Sequence, residues 1–129
     1  MTAEKSDSRR ILVVDDEEDV RLLFNHQFRR EIRSGQLTFT FAHSSAEALE
    51  VLRTQAQDIA LVFSDINMPG GSGLELLLQI REEFGPLPVH MVSAYGDEDH
   101  IRAATERGAN GFLTKPIDFA TLRREAVEA

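Results

Sequence analysis

The sequence predicts an α/β domain: a doubly wound sheet of five parallel strands with helices on both faces. Three observations carry this. Short apolar runs rich in β-branched and aromatic residues alternate strictly with longer stretches of helical period. The connections between them are short, which for alternating elements implies right-handed crossovers and a parallel sheet. Several of the apolar runs stop abruptly on an acid, a hydroxyl or a lysine. That is the pattern of strands whose carboxyl ends meet at a ligand edge.

Each element follows in order. Residues 1–8, "MTAEKSDS", are polar and small and are expected as a disordered tail, leaving 9–129 as one folded domain. Ile11 to Val14 is a continuous apolar run, suited to a strand buried on both faces. Val20, Leu23, Phe24, Phe28 and Ile32 recur at helical spacing and predict one amphipathic helix of about four turns, ended by Ser34-Gly35. "LTFTFA" (37–42) alternates as a second strand, and Ser44 or Ser45 caps a helix carrying Ala48, Val51 and Leu52 inward. "IALVFS" (59–64) is a third strand. "GLELLLQIREEF" (73–84) is a helix with Leu74, Leu77 and Leu78 inward. "VHMVS" (89–93) is a fourth strand after Pro86 and Pro88. Residues 97–107 form a helix whose apolar face is little more than Ile101 and Ala104. "GFLT" (111–114) is a short fifth strand, and Asp118 caps a last helix over 119–128.

Composition narrows the function. A chain of 129 residues fits one domain. With 22 acidic against 14 basic side chains the net charge is −8, which argues against direct nucleic-acid binding through the overall field. There is no cysteine, so thiolate metal sites and thiol nucleophiles are excluded. The N-terminus lacks an apolar core, and no apolar run approaches the ~20 residues of a membrane span. A cytoplasmic location is the expectation.

The strand ends carry the chemistry. The first delivers Asp15 and Asp16, the third Asp65, the fourth Ser93, and the fifth Thr114 and Lys115. Three nearby carboxylates repel one another, and a hard divalent cation such as Mg²⁺ relieves this. A lysine beside them suits an anion that joins the site, such as a phosphoryl group, and a hydroxyl can donate to it. Gly70, Gly71 and Gly73 let the backbone turn sharply after Asp65, and Pro69 stiffens the turn.

Four motifs in order, "ILVVDDEEDVR", "SDINMPGGSGLELL", "VSAYGD" and "GFLTKPID", resemble the receiver domain of two-component response regulators, over about residues 9–128. The resemblance implies a flavodoxin-like fold with strand order 2-1-3-4-5. It implies that Asp65 accepts a phosphoryl group from a sensor histidine kinase or a histidine phosphotransfer protein. It makes Asp15, Asp16 and Asp65 Mg²⁺ ligands, with the backbone carbonyl of Asn67. Ser93 matches the switch hydroxyl, Lys115 the lysine that contacts the phosphoryl oxygen, and Phe112 the switch aromatic. Pro116 would follow a cis peptide bond. Asn67 and Tyr95 flank the path of attacking water and would tune the phosphoryl lifetime. The output would be a downstream effector protein or a further C-terminal domain. A homodimer through residues 97–128 is also admitted.

Plainer readings stand beside these. The acids at 15–19 also suit a helix N-terminus, where Glu17, Glu18 and Asp19 have that role in either reading. His26, His43, His90 and His100 lack metal-ligand spacing and receive no chemistry; His90 is expected as a packed, hydrogen-bonded core residue. Arg29, Arg30 and Arg33 read as a solvated face. A haloacid-dehalogenase-type enzyme would need a second aspartate where Asn67 stands, and a dinucleotide fold would need glycines where "DDEEDV" stands. The chain is read as no enzyme beyond its own phosphorylation and dephosphorylation. The alternative function is a receiver-like interaction module that is not phosphorylated.

Overall fold

In a computed structural model of the chain, residues 9–67, 73–93 and 98–128 are described. The strands are β1 (Arg9–Val14), β2 (Leu37–Ala42), β3 (Ile59–Asp65), β4 (Val89–Ser93) and β5 (Gly111–Thr114). The helices are α1 (Asp19–Gln27), α2 (Arg29–Ser34), α3 (Ser45–Gln55), α4 (Gly73–Phe84), α5 (Glu98–Glu106) and α6 (Phe119–Glu128). All pairings are parallel and the order is β2-β1-β3-β4-β5, as the resemblance implies. This is the flavodoxin-like arrangement. The expected tail at 1–8 lies outside the described residues.

Alternation along each buried strand builds two cores. Leu12, Val14, Val62 and Met91 face α3, α4 and α5, through Ala48, Leu52, Leu76, Leu77, Ile80 and Ala104. Ile11, Val13, Leu61, Phe63, Val92 and Leu113 face α1 and α6, through Phe24, Phe28, Leu122 and Ala126. On that second face Phe24, Phe28, Phe39, Phe41 and Phe119 form an aromatic group with ring centroids 5.2–6.1 Å apart.

Three side-chain or helix expectations are corrected. The first helix is two: the chain leaves helical geometry at Phe28 (φ −110°, ψ 21°), although Phe28 N–H still donates to Phe24 O and Ile32 N–H to Phe28 O. No glycine or proline stands there. The break falls where the fully buried Phe28 ring meets Phe39 and Phe119. Gly35, at φ 83°, then ends α2 in the left-handed region as expected. Leu23 points outward, and so does Leu78. At about 100° per residue, Phe24 centres the inward stripe of α1, with Phe28 just past its end, and Gly73, Leu76, Leu77 and Ile80 centre that of α4. Leu23 and Leu78 fall outside those stripes.

Helix capping follows local chemistry. Ser44 takes the N-cap of α3: its Oγ accepts from Glu47 N–H at 3.1 Å, while Glu47 Oε1 accepts from His43 N–H at 3.1 Å. Asp118 caps α6, accepting from Ala120 N–H at 3.0 Å and from the Thr121 hydroxyl at 2.9 Å. His90 is buried, edge-on to Phe63, with Gly111 opposite it on β5. A Cβ at 111 would stand 2.6 Å from its Nδ1, so the missing side chain makes room for the ring.

At the end of the sheet away from the acids, Arg81 of α4 ties three segments together. It donates to the carbonyls of Gly85 (3.0 Å), Leu87 (2.7 Å) and Gly108 (2.6 Å), and to Asn110 Oδ1 (2.8 Å). Asn110 Oδ1 also accepts from Val89 N–H at 2.8 Å. Arg81→Ala leaves the partly buried Gly85 and Leu87 carbonyls and the exposed Gly108 and Asn110 oxygens to water, and is expected to cost about 2 kcal/mol in urea unfolding, within the range for hydrogen bonds to charged groups. A loss under roughly 0.5 kcal/mol would show that water replaces the guanidinium freely.

Candidate functional site

The carboxyl ends of β1, β3, β4 and β5 bring the expected residues to one edge. Asp65 is the last residue of β3 and is 3% exposed. Lys115, one residue past β5, donates from Nζ to Asp65 Oδ2 at 2.8 Å and lies 3.9 Å from Asp15 Oδ2. Its own N–H donates to Ser93 O at 2.9 Å, which fixes the loop beside β4. The Lys115-Pro116 peptide bond is cis, as expected. One carboxylate oxygen from each of Asp15, Asp16 and Asp65 lies within 4.8 Å of the others. Asp15 and Asp65 are buried and Asp16 is exposed.

Hydrogen bonds aim the acids. Asp15 N–H donates to Ala42 O at 3.0 Å, and Asp15 Oδ1 accepts from Glu17 N–H at 2.9 Å. Asp65 Oδ1 accepts from Asn67 N–H at 3.3 Å, longer than the Lys115 bond to Oδ2. Asn67 itself is exposed. Burial pushes the Asp15 pKa up, aided by the charges of Asp65 and Asp16 and opposed by the Glu17 N–H and Lys115. For Lys115 burial acts downward, but the hydrogen bond and charge of Asp65, with Asp15 and Glu17, outweigh it and hold the ammonium above its ordinary pKa.

Ser93 is fully buried, and its Oγ has no hydrogen-bond partner among the described residues. Leaving a buried hydroxyl unpaired costs about 1–3 kcal/mol, so such a group is worth explaining. Phe112 is partly buried on β5, against the core that holds Met91, its register partner. Tyr95 and the turn residues Pro69, Gly70 and Gly71 lie outside the described residues.

Gly73 has a role the sequence reading did not identify. Its N–H donates to Ile66 O at 2.7 Å. A Cβ there would overlap the Asp65 carbonyl oxygen and lie 2.9 Å from Ile66 Cα. The start of α4 therefore lies directly against the backbone of Asp65, and glycine is demanded by that approach. His43 also reaches this edge. Its Nδ1 lies 3.4 Å from the Asp15 carbonyl oxygen. Strand order held the signal: a residue just past β2 must sit beside the end of β1.

Comparison with known proteins agrees with this geometry. The family model described as response regulator receiver domain matches residues 11–127. The chain belongs to that family. This receiver domain is 38% identical over 117 residues to the response regulator protein PilR of Pseudomonas aeruginosa, covering 89% of this chain and 24% of PilR. It spans about a quarter of the length of the first such relatives. It is 32% identical over 116 residues to sporulation initiation phosphotransferase F of Bacillus subtilis, covering 90% of this chain and 89% of that one. Among solved structures, a response regulator receiver protein from Pseudomonas putida superposes with a TM-score of 0.81 at 28% identity, covering 94% and 96% of the two chains. TrrA of Thermotoga maritima, in complex with Mg²⁺ and BeF, gives a TM-score of 0.76 at 29% identity, covering 91% and 95%. Among the described residues no helix of the receiver domain is long and apolar enough to cross a membrane.

Proposed function

We propose that this receiver domain is a phosphoacceptor switch in which Asp65 takes a phosphoryl group from a phosphohistidine donor. The observation that carries the reading is the placement of Asp65: buried at the sheet edge, paired with Lys115, and within 4.8 Å of Asp15 and Asp16 oxygens. Asp65 Oδ1 is the oxygen not held by Lys115, and it is the nucleophile. An O–P bond forms as the donor's N–P bond breaks. The leaving imidazole nitrogen keeps the electron pair. Lys115 then donates to a phosphoryl oxygen, and the Ser93 hydroxyl, without a partner among the described residues, gains an acceptor. Phe112 moves into the space Ser93 vacates. Attack of water on phosphorus breaks the Asp65 Oδ1–P bond, returns the carboxylate and releases inorganic phosphate, with Asn67 orienting that water and Tyr95 limiting its access.

The donor set fits Mg²⁺: Asp15, Asp16, Asp65 and the Asn67 backbone carbonyl offer only hard oxygens. When bound, the ion supplies charge neutralisation for the carboxylates and for the transferred oxygens. Its affinity is expected in the millimolar range, because few protein ligands hold it.

Asp15 allows a check on this charge balance. Its pKa in the folded protein is raised, so its contribution to stability is full below the unfolded value of 3.8 and is lost as pH rises through the folded pKa. At neutral pH the ionised group therefore costs the metal-free protein stability. Asp15→Asn should raise the metal-free Tm at pH 7, narrow the gap in Tm between pH 4 and pH 7, and weaken Mg²⁺ binding by on the order of tenfold. A lower Tm together with unchanged Mg²⁺ affinity would count against the site.

The partners proposed are a sensor histidine kinase or a histidine phosphotransfer protein upstream, in the cytoplasm. Downstream stands an effector protein or a further domain like those of the longer relatives. The changing face is α5, β5 and α6, which also serves for any homodimer. Among α5's described side chains Ala104 is the buried one, so this helix is weakly anchored and easily shifted. Amide exchange with and without beryllofluoride should change in α5 and β5; changes confined to α1 and β2 would refute this face. The function itself is tested by intact mass after incubation with acetyl phosphate and Mg²⁺. One phosphoryl adduct is expected. No adduct would favour an interaction module that is not phosphorylated.

A further inference from the structure

His43 lies just past β2, beside the end of β1, because Val14 and Ala42 are register partners. Its backbone is held: His43 N–H donates to Glu47 Oε1 at 3.1 Å, inside the cap of α3. Its ring is half-buried, with Nδ1 3.4 Å from the Asp15 carbonyl oxygen. A carbonyl can only accept, so Nδ1 carries the hydrogen in this contact.

The acceptor belongs to the peptide unit that joins Asp15 to Asp16. That unit is planar, so fixing its oxygen fixes the rotation of the whole plane. The plane sets where Asp16 projects from the chain. The β1 ladder ends at Val14, and Asp15 N–H to Ala42 O is the last bond from β2 on the near side of Asp15. Beyond it, the contact from His43 reaches the far side of the same residue. Asp15's own carboxylate is steadied separately, by Glu17 N–H. Asp16 is exposed and depends on the peptide plane for its direction.

We propose that His43 is a positioning residue for the cation site: its Nδ1–H orients the Asp15–Asp16 peptide so that the Asp16 carboxylate converges with those of Asp15 and Asp65. Groups that orient a ligand commonly change metal affinity by about 10–100-fold when removed. The 3.4 Å contact is long for a hydrogen bond, so an effect of about fivefold is expected. The proposal rests on the Mg²⁺ reading above.

Three substitutions separate the donor from bulk. His43→Asn keeps an N–H donor at the same number of bonds from the backbone. His43→Gln moves the donor one bond further out. His43→Leu keeps bulk and removes the donor. Mg²⁺ affinity of the full chain is measured by calorimetry, with the metal-free Tm recorded in parallel. Asn should bind Mg²⁺ within about twofold of the natural residue, and Gln and Leu about fivefold more weakly. Gln and Leu binding as tightly as His43, or Asn as weak as Leu, overturns the role, as does a Tm loss with unchanged affinity. Asp16→Asn is the control for the underlying reading. If it leaves Mg²⁺ binding intact, the cation site itself is wrong; if it abolishes binding while the Gln and Leu variants bind as tightly as His43, only the positioning role fails.

Discussion

Asp65→Asn is expected to lose all phosphoryl uptake and to keep the fold. An amide is not a usable nucleophile toward phosphorus, and no other carboxylate occupies the tip of β3. The substitution is isosteric, so it opens no cavity in a site where Asp65 is 3% exposed. Two electrostatic changes oppose each other. Lys115 loses its partner at 2.8 Å, but keeps Asp15 at 3.9 Å and is itself 35% exposed. Asp15, whose pKa burial and the Asp65 charge push up, is relieved of a repelling neighbour. Breaking a fully buried pair costs about 3–5 kcal/mol, but this lysine is neither fully buried nor left without an acid. The net change in stability is expected to stay within about 1 kcal/mol. Intact mass after acetyl phosphate and Mg²⁺, alongside urea unfolding, checks both halves. A phosphoryl adduct on the variant at the natural rate would move the acceptor elsewhere. A large loss of stability would make Asp65 a structural residue first.

Gly73→Ala is expected to destabilise the protein by about 3 kcal/mol, at the upper end for overpacking. The added Cβ would overlap the Asp65 carbonyl oxygen and crowd Ile66 Cα, and both are backbone atoms that cannot rotate away. Either α4 lifts from β3 or the Asp65 peptide tilts. Lifting α4 pulls Leu76, Leu77 and Ile80 from the core, and tilting the peptide moves the Asp65 carboxylate from Lys115. The same change should therefore slow phosphoryl uptake at saturating Mg²⁺, even where the variant is fully folded. Urea unfolding and initial uptake rates measure the two effects. Natural stability in the alanine variant would mean that the helix start has room to give.

Much of the fold was legible because its signals are local. Continuous runs such as Ile11–Val14 identify strands buried on both faces, and all five strands fall where their runs predict, within a residue or two at the ends. The Ser44–Glu47 pair, three residues apart, is the local signal that puts the cap at Ser44 and not at Ser45. Helix faces were less legible. Leu23 and Leu78 count as apolar in any pattern, but the inward stripe is narrower than the pattern of leucines, and the sheet decides which edge of it is covered. The interruption at Phe28 has no local marker, since it sits where aromatic rings from α1, β2 and α6 meet.

The sequence by itself determined the order of elements, the parallel sheet and the residues at each strand's carboxyl end. These depend on period and on chain connectivity, which short stretches encode. Tertiary structure decided which of those residues touch. Lys115 meets Asp65 across 50 positions, and His43 meets Asp15 across 28. The Ser93 hydroxyl is buried without a partner among the described residues, and Gly73 lies against the Asp65 backbone. Such contacts are set by strand register and by how closely a helix packs on the sheet, to within about an ångström. No stretch of sequence carries that distance, because it is fixed jointly by segments that are far apart along the chain.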